Sequence, residues 1–234
     1  MQNPRQTAYD ALIKTERQGG FSNLTLDSVL SKTDLDARDR SFVSNLFYGV
    51  IERKITIDYQ LSLYLSKPLK KLKPEVLILM RMGTYQILYM DKVPVSAAVN
   101  ESVKLSKKNG CSFASSLINA VLRKVGTNGV VLPDEKNKIH YFSVKYSCPE
   151  WLIEKWFSES GEEDPEKLLK SSVGEPPVYI RVNTTLTDVD SLKDTLLKQG
   201  IESENTYNEN TLKVNLSGKD IEKTDAFNNG LFHV

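Results

Sequence analysis

Histidine and cysteine are nearly absent from this sequence, which holds two of each in 234 residues: His140 and His233, Cys111 and Cys148. Two cysteines are too few for a disulfide framework or a cysteine-based metal site. Two histidines set far apart in the chain argue against a histidine-based acid–base pair. No apolar run approaches the ~18 residues of a membrane span, and Met1 leads straight into MQNPRQTAYD without the charged-then-apolar build of a signal peptide. Also missing are a GxxxxGKS/T phosphate loop, a GxGxxG turn after a strand, an HExxH pair and a GxSxG elbow. These absences leave a binding protein of the cytoplasm as the expectation.

Charge of one sign is missing only in the sum. The net charge is +1, but residues 1–138 hold 21 Lys+Arg against 13 Asp+Glu, or +8, and residues 139–234 hold 10 against 17, or −7. A basic half points toward nucleic acid, with a merely solvated lysine-rich surface as the plain alternative.

What is present is mostly helical periodicity. Asn3-Pro4 reads as an N-cap with proline at the first helical position, Ala8, Ala11 and Leu12 mark a buried face, and Gly19-Gly20 ends it. Residues 21–30 supply a second helix. Asp34 or Asp36 caps a third, with Val43, Leu46, Phe47 and Val50 inside and Arg38, Asp39, Arg40, Glu52 and Arg53 outside. Asp36 and Arg40 stand four apart and are expected to pair. The period runs on through Ile57, Leu61, Tyr64 and Leu65 to Lys67-Pro68, and PLKKLKP (68–74) reads as a basic linker.

Pro74 opens a central helix in which Gly83 and Thr84 let a neighbour approach closely. In PVSAAVNESVKLSKKNGCSFASSLINAVLRKV (94–125) two apolar faces form an αα-hairpin: Val95, Ala98, Val99 and Val103, then Phe113, Leu117, Ile118, Val121, Leu122 and Val125. Asn109-Gly110 closes the first helix and Ser112 caps the second. That makes about seven helices and no strand before residue 130.

GTNGVVLPDEKNK (126–138) is turn-rich and marks the expected boundary. The expected domains are 1–130, a linker at 131–138, and a small α+β domain at 139–234. In the latter, Trp151, Leu152, Trp156 and Phe157, then Leu168 and Leu169, form an inner stripe; Gly161 to Pro165 is a turn with Asp164 as cap. Residues 178–183 and 211–216 read as strands around a helix at 188–198. The sequence stops on the apolar run Gly230-Leu-Phe-His-Val234, which reads as a strand from which a longer chain continues.

Few residues suit covalent chemistry. Cys148-Pro149 has a nucleophilic cysteine's neighbour in the wrong order for a cytosine methyltransferase, and lacks an activating surrounding, so Cys148 reads as structural, as does Cys111. Arg81, inside an apolar helix, reads as a buried paired residue. The candidate phosphate contacts are Arg5, Arg38, Arg40, Arg53, Lys54, Arg123 and Lys124. Arg181 and Asn183 share one face of a strand and are candidates for contact with RNA or another domain.

Three stretches carry a resemblance: DARDRSFVSNLFYGVIERK (36–54), ILMRMGTYQILYMDKVPVSAAVNESVKLSKK (78–108) and SLINAVLRKV (116–125). They resemble the all-helical NusB RNA-binding domain, in the version that opens the ribosomal RNA small subunit methyltransferase B (Sun/Fmu) family. YSCPEWLIEKW (146–156) and VYIRVNTT (178–185) resemble the small domain that follows it there.

The resemblance implies an all-α NusB-like bundle followed by a small α+β domain, with small-subunit rRNA as partner. It also implies a further Rossmann-type domain in cis that binds S-adenosylmethionine and methylates cytosine C5 through two cysteines. None of those catalytic or cofactor residues is expected in these 234 positions, and neither metal nor membrane is expected as a partner. Two alternatives stay open. One is a stand-alone antitermination factor binding RNA and a ribosomal protein, against which the α+β unit argues; the other is a helical protein-interaction module.

Overall fold

The computed structural model describes residues 3–18, 22–159, 165–174, 176–216 and 219–234. The expected stop at Gly19-Gly20, the first residue of the second helix, Phe21, and the turn from Gly161 with its Asp164 cap lie outside the described residues. The chain forms two compact units, Met1–Ser172 and Val173–Val234.

The first unit is helical. Helix α1 (Pro4–Gln18) starts on Asn3, whose Oδ1 accepts from the Arg5 amide at 2.9 Å. It is followed by α2 (Ser22–Leu30), α3 (Ala37–Glu52) and α4 (Lys54–Ser62). Asp36 caps α3, its Oδ1 accepting from the Asp39 amide at 2.7 Å. The α4 helix ends before Tyr64 and Leu65, which pack from the following turn.

Helices α5 (Pro74–Tyr89), α6 (Val95–Lys108) and α7 (Ser115–Asn128) complete the bundle. The α5 helix is the central one, with every residue from Val76 to Gln86 buried. Its width of burial follows from contacts with α1, α3, α4, α6 and α7. Small residues make the closest approaches: a Cβ on Gly83 would lie 2.4 Å from Leu122 Cδ1, and one on Gly49 of α3 would lie 1.9 Å from the Tyr85 ring.

Between α6 and α7, Gly110 takes φ +72° and the Cys111 amide bonds back to the Ser106 carbonyl at 2.7 Å, the wrap-around bond of a glycine-closed helix end. Ser112 does not cap α7. It begins a 3-10 turn (Ser112–Ala114), and α7 starts at Ser115 with no side-chain cap. Phe113 falls in that turn and is 66% exposed, and Leu117 lies beside the inner face at 41% exposed, while Ile118, Val121, Leu122 and Val125 keep that face. Val95 is likewise on the surface, at the first turn of α6.

The linker expected at 131–138 lies inside the first unit. Gln60, fully buried, donates to the Val131 carbonyl at 2.7 Å and accepts from the Val131 amide at 2.9 Å. Helix α8 (Lys138–Tyr146) docks on α4, where Thr56 Oγ1 donates to the Val144 carbonyl at 2.5 Å and Ser147 Oγ accepts from the Ile55 amide at 3.1 Å. Helices α9 (Glu150–Glu159) and α10 (Pro165–Ser171) pack on α8 around Ile153, Leu169 and Cys148. Ile153 holds the centre of that cluster and Trp151 is 65% exposed, because Trp151 lies two residues off the inward position. Leu168 is exposed for the same reason next to buried Leu169.

The second unit is a four-stranded antiparallel sheet in the order β2-β3-β1-β4: β1 Val178–Val182, β2 Glu202–Asn205, β3 Thr211–Asn215 and β4 Phe232–His233. Helix α11 (Val189–Lys198), capped by Asp188, and the single turn α12 (Asp225–Asn228) belong to it. Ile180, Val182, Leu212, Val214 and Phe232 form the buried face with Leu192 and Leu196 of α11. Strand β2, sequence ESEN, has no alternating apolar residue and is visible only through its pairing with β3.

Candidate functional site

The basic residues of α3 sit at its two ends. Fifteen residues separate Arg38 from Arg53, which at the helical rise is about 22 Å. At the first end Arg38 is exposed, and Arg40 is half-buried with Nη1 donating to the Leu30 carbonyl at 3.3 Å; the expected Asp36–Arg40 ion pair does not form among the described residues, the two meeting only through the Arg40 amide and the Asp36 carbonyl at 2.9 Å. Arg5 belongs to this end too. Its guanidinium lies 4.9 Å above the Phe42 ring, and Phe42 follows Arg38 by one helical turn. The same group donates to Gln86 Oε1 at 2.7 Å, and burial pulls its pKa below the usual arginine value. Arg5, on α1, is therefore fastened to α3 and α5, and Arg38, exposed one turn before Phe42, is open to a ligand.

At the other end, Arg53 is the hinge residue between α3 and α4. Its guanidinium lies 5.5 Å from the Tyr89 ring centroid and 3.5 Å from Glu52. Lys54 meets Glu16 at 3.5 Å, and Glu16 also reaches Arg81 at 3.4 Å. Arg81 is 5% exposed and holds Asp58 by two bonds of 2.7 and 2.8 Å, a fork geometry that satisfies a buried guanidinium. The paired, structural reading of Arg81 holds. Arg123, exposed on α7, is held by Asn119 Oδ1 at 3.1 Å, and Lys124 beside it is exposed.

Three lysines outside the expected set line a groove of about 770 Å³ beside α1 and α2: Lys14, Lys32 and Lys108, together with Gln6, Thr7 and Asp10. Lys14 is on α1, Lys32 in the turn after α2 and Lys108 at the end of α6, so the three are far apart in sequence.

In the second unit, Arg181 is exposed on β1, opposite Thr211 of β3 and His233 of β4. Asn183 does not share its freedom. The Asn183 side chain donates to the Gly230 carbonyl at 2.9 Å and accepts from Thr185 Oγ1 at 2.6 Å, so it clips the segment leading into β4.

Neither cysteine is set up as a nucleophile. Cys111 and Cys148 are buried, and burial pushes both thiols up, away from the thiolate. His140 Nδ1 lies 2.7 Å from Glu150 Oε1, with the ring edge-on to Tyr59. Among the described residues no group of three or more His, Cys, Asp or Glu could hold a metal ion, and no helix is long and apolar enough to cross a membrane.

The architecture and the sequence agree with a known family. Residues 2–127 match the model of the NusB family. The chain belongs to the NusB family. Residues 148–219 match a second model, the ferredoxin-like domain of RsmF/B-like methyltransferases. A protein of Bacillus subtilis named probable ribosomal RNA small subunit methyltransferase B is 35% identical over 86% of this chain and 45% of its own length. The chain spans less than half the length of such curated relatives. Among solved structures, PH0851 covers the whole chain and 53% of its own with a TM-score of 0.67 at 21% identity. Thermotoga maritima NusB covers 58% of this chain and 94% of its own with a TM-score of 0.51 at 23% identity, a likeness of fold.

Proposed function

We propose that this NusB-family chain is the RNA-holding part of an S-adenosylmethionine-dependent rRNA (cytosine-C5)-methyltransferase of the cytoplasm. Small-subunit rRNA is its partner, and a catalytic domain in cis completes it. The observation that carries this is the order of the two family matches, NusB at 2–127 and the RsmF/B-like ferredoxin-like domain at 148–219. A stand-alone antitermination factor needs no such second domain. On this reading 1–130 is the RNA-binding domain, 131–138 a connection and 139–234 the domain that leads to the catalytic one.

The residues of this chain do not fit the methyl donor. Its sheet among the described residues is antiparallel, and the sequence has no glycine-rich turn after a strand. No catalytic step is assigned to it, and on its own it is expected to be inactive.

Its work is then electrostatic. Arg38 and Lys124 are exposed, Arg40, Lys54 and Arg123 are each tied by one contact and Arg53 by two, Glu52 and the Tyr89 ring, so the tied ones can exchange a weak partner for a phosphate oxygen. Arg5, held by Gln86 and Phe42, positions Phe42 and Arg38 more than it binds. Arg181 serves the contact with RNA or the catalytic domain, and Asn183 holds the segment beside it.

The test is binding of a labelled small-subunit rRNA segment between 50 and 200 mM salt. Affinity is expected to fall at least about tenfold over that range, and the double change Arg38→Glu/Arg40→Glu to weaken it further and flatten the salt slope. Affinity that ignores salt, or no binding at either salt concentration, overturns the proposal.

A further inference from the structure

The sequence holds three Asn–Gly pairs, Asn109-Gly110, Asn128-Gly129 and Asn229-Gly230. Such a pair carries its own chemistry. The glycine amide nitrogen, once it has lost its proton to hydroxide, attacks the asparagine Cγ; the bond from Cγ to the side-chain nitrogen breaks, and ammonia leaves. Water then opens the cyclic imide to aspartate or to isoaspartate. Glycine suits the attack because no Cβ crowds the ring and its backbone rotates freely. Two freedoms are needed: a carboxamide able to swing onto its own main chain, and a glycine N–H that can leave its acceptor.

The fold distributes these freedoms unequally. Asn109 is half-buried and tied three times, its Oδ1 accepting from Gln6 Nε2 at 3.0 Å and its Nδ2 donating to Gln6 Oε1 at 3.1 Å and to the Leu105 carbonyl at 2.9 Å. Asn128 Nδ2 donates to the Lys124 carbonyl at 3.0 Å, and the Gly129 amide donates to the Val125 carbonyl at 2.9 Å. Val125 is fully buried on one side of that pair, and Gln60 holds Val131 on the other.

Asn229 is different. It is exposed, and among the described residues its carboxamide makes no hydrogen bond. Its backbone is held by the Gly230 amide on the Phe227 carbonyl at 2.9 Å and the Leu231 amide on the Ala226 carbonyl at 3.0 Å. Both acceptors belong to α12, a single turn whose cap is Thr224 Oγ1, accepting from the Phe227 amide at 3.2 Å. A lone capped turn opens far more often than a helix packed into the bundle.

We infer that Asn229 is a site of spontaneous deamidation, reached when the α12 turn opens, and that Asn109 and Asn128 are protected by their bonds. Isoaspartate there routes the main chain through the former side chain and adds a carbon to it just before Gly230. Asn183 Nδ2 holds the Gly230 carbonyl at 2.9 Å, and the Asn183 amide holds the Leu231 carbonyl at 2.9 Å. Phe232 and His233 of β4 follow, opposite Val182 and Arg181. The lengthened link shifts these groups out of register, so the modification loosens β4 from β1.

The experiment incubates the whole chain at mildly alkaline pH and maps the asparagines by peptide mass spectrometry, with the chain unfolded in urea as reference. The three pairs are expected to convert at comparable rates in urea. In the folded chain Asn229 is expected to lead the other two by at least about tenfold. Thr224→Ala is expected to speed Asn229 about fivefold, the effect of a lost cap on the open population, and to leave Asn109 and Asn128 unchanged. Melting of the incubated chain is expected to fall, and that of Asn229→Gln to stay constant.

Equal rates at the three pairs in the folded chain, a lead by Asn109 or Asn128, or no conversion of Asn229 while the unfolded chain converts, overturns the site. A Thr224→Ala rate equal to that of the unmodified chain overturns the role of the α12 turn. Constant melting of a chain converted at Asn229 overturns the loosening of β4.

Discussion

Gln60 of α4 holds Val131 as a neighbouring strand would, giving a hydrogen bond to its carbonyl at 2.7 Å and taking one from its amide at 2.9 Å. A single buried side chain thus satisfies both backbone groups of a connecting residue and fixes where the chain goes after the bundle. With Thr56 on the Val144 carbonyl and Ser147 on the Ile55 amide, α4 becomes the dock for α8.

Gln60→Ala strips both bonds from groups that have no ready water, so the loss is expected to be about 2–3 kcal/mol. Urea unfolding of the variant should show a lower midpoint with the same slope. A change below about 0.5 kcal/mol would mean that the connection is not fixed by this residue.

Gly83 and Gly126 separate two kinds of close approach. A Cβ at Gly83 meets Leu122 Cδ1 at 2.4 Å and Ser102 Oγ at 2.8 Å, both fully or nearly fully buried. Gly83→Ala is therefore expected to cost about 1–3 kcal/mol despite the better helix propensity of alanine. A Cβ at Gly126 meets only Val95, at 2.5 Å, and Val95 is 40% exposed and can turn away. Gly126→Ala should be neutral or stabilising by up to about 1 kcal/mol. Equal melting shifts in the two variants would refute the distinction.

Glu166 gives α8 and α10 an acid-sensitive contact. Its carboxylate accepts from the Tyr146 hydroxyl at 2.7 Å and from Lys145 Nζ at 2.9 Å, and these bonds hold its pKa down at about 2. The folded pKa is depressed, so the stabilisation is present above the ordinary glutamate range near pH 4.3 and is lost as pH falls toward 2. The same carboxylate raises the pKa of Lys145, whose share persists below its ordinary value near 10.4 and fades above it. Comparing melting of the unmodified chain and Glu166→Gln from pH 6 to pH 2 should show a gap that closes below about pH 4. A gap of constant size would refute the contact.

Much of the helical part was legible before folding was considered. The caps at Asn3 and Asp36, the buried stripe of α3, the close-packing role of Gly83 and the glycine turn at 110 are written in local chemistry. The family resemblance carried the order of domains. The expected inner positions of Phe113, Leu117, Val95 and Trp151 were not met: Phe113 falls in the 3-10 turn at 112–114, which breaks the helical period, while Leu117, Val95 and Trp151 lie on their helices beside the inward face rather than on it. Strand β2 was invisible because an acidic edge strand has no alternation to read.

The sequence by itself determined that the first half is helical, where the helices with a clear cap or an opening proline begin, and that the basic residues gather there, because caps, periods and charge counts depend on residues within a turn or two of one another. Only the tertiary structure decided which cations are spent and which remain open. Arg81 meets Asp58, Arg5 covers Phe42, Lys54 reaches Glu16 and Lys73 stops at Phe113, and each of those partners lies far away in the chain, where packing of whole helices sets the distance.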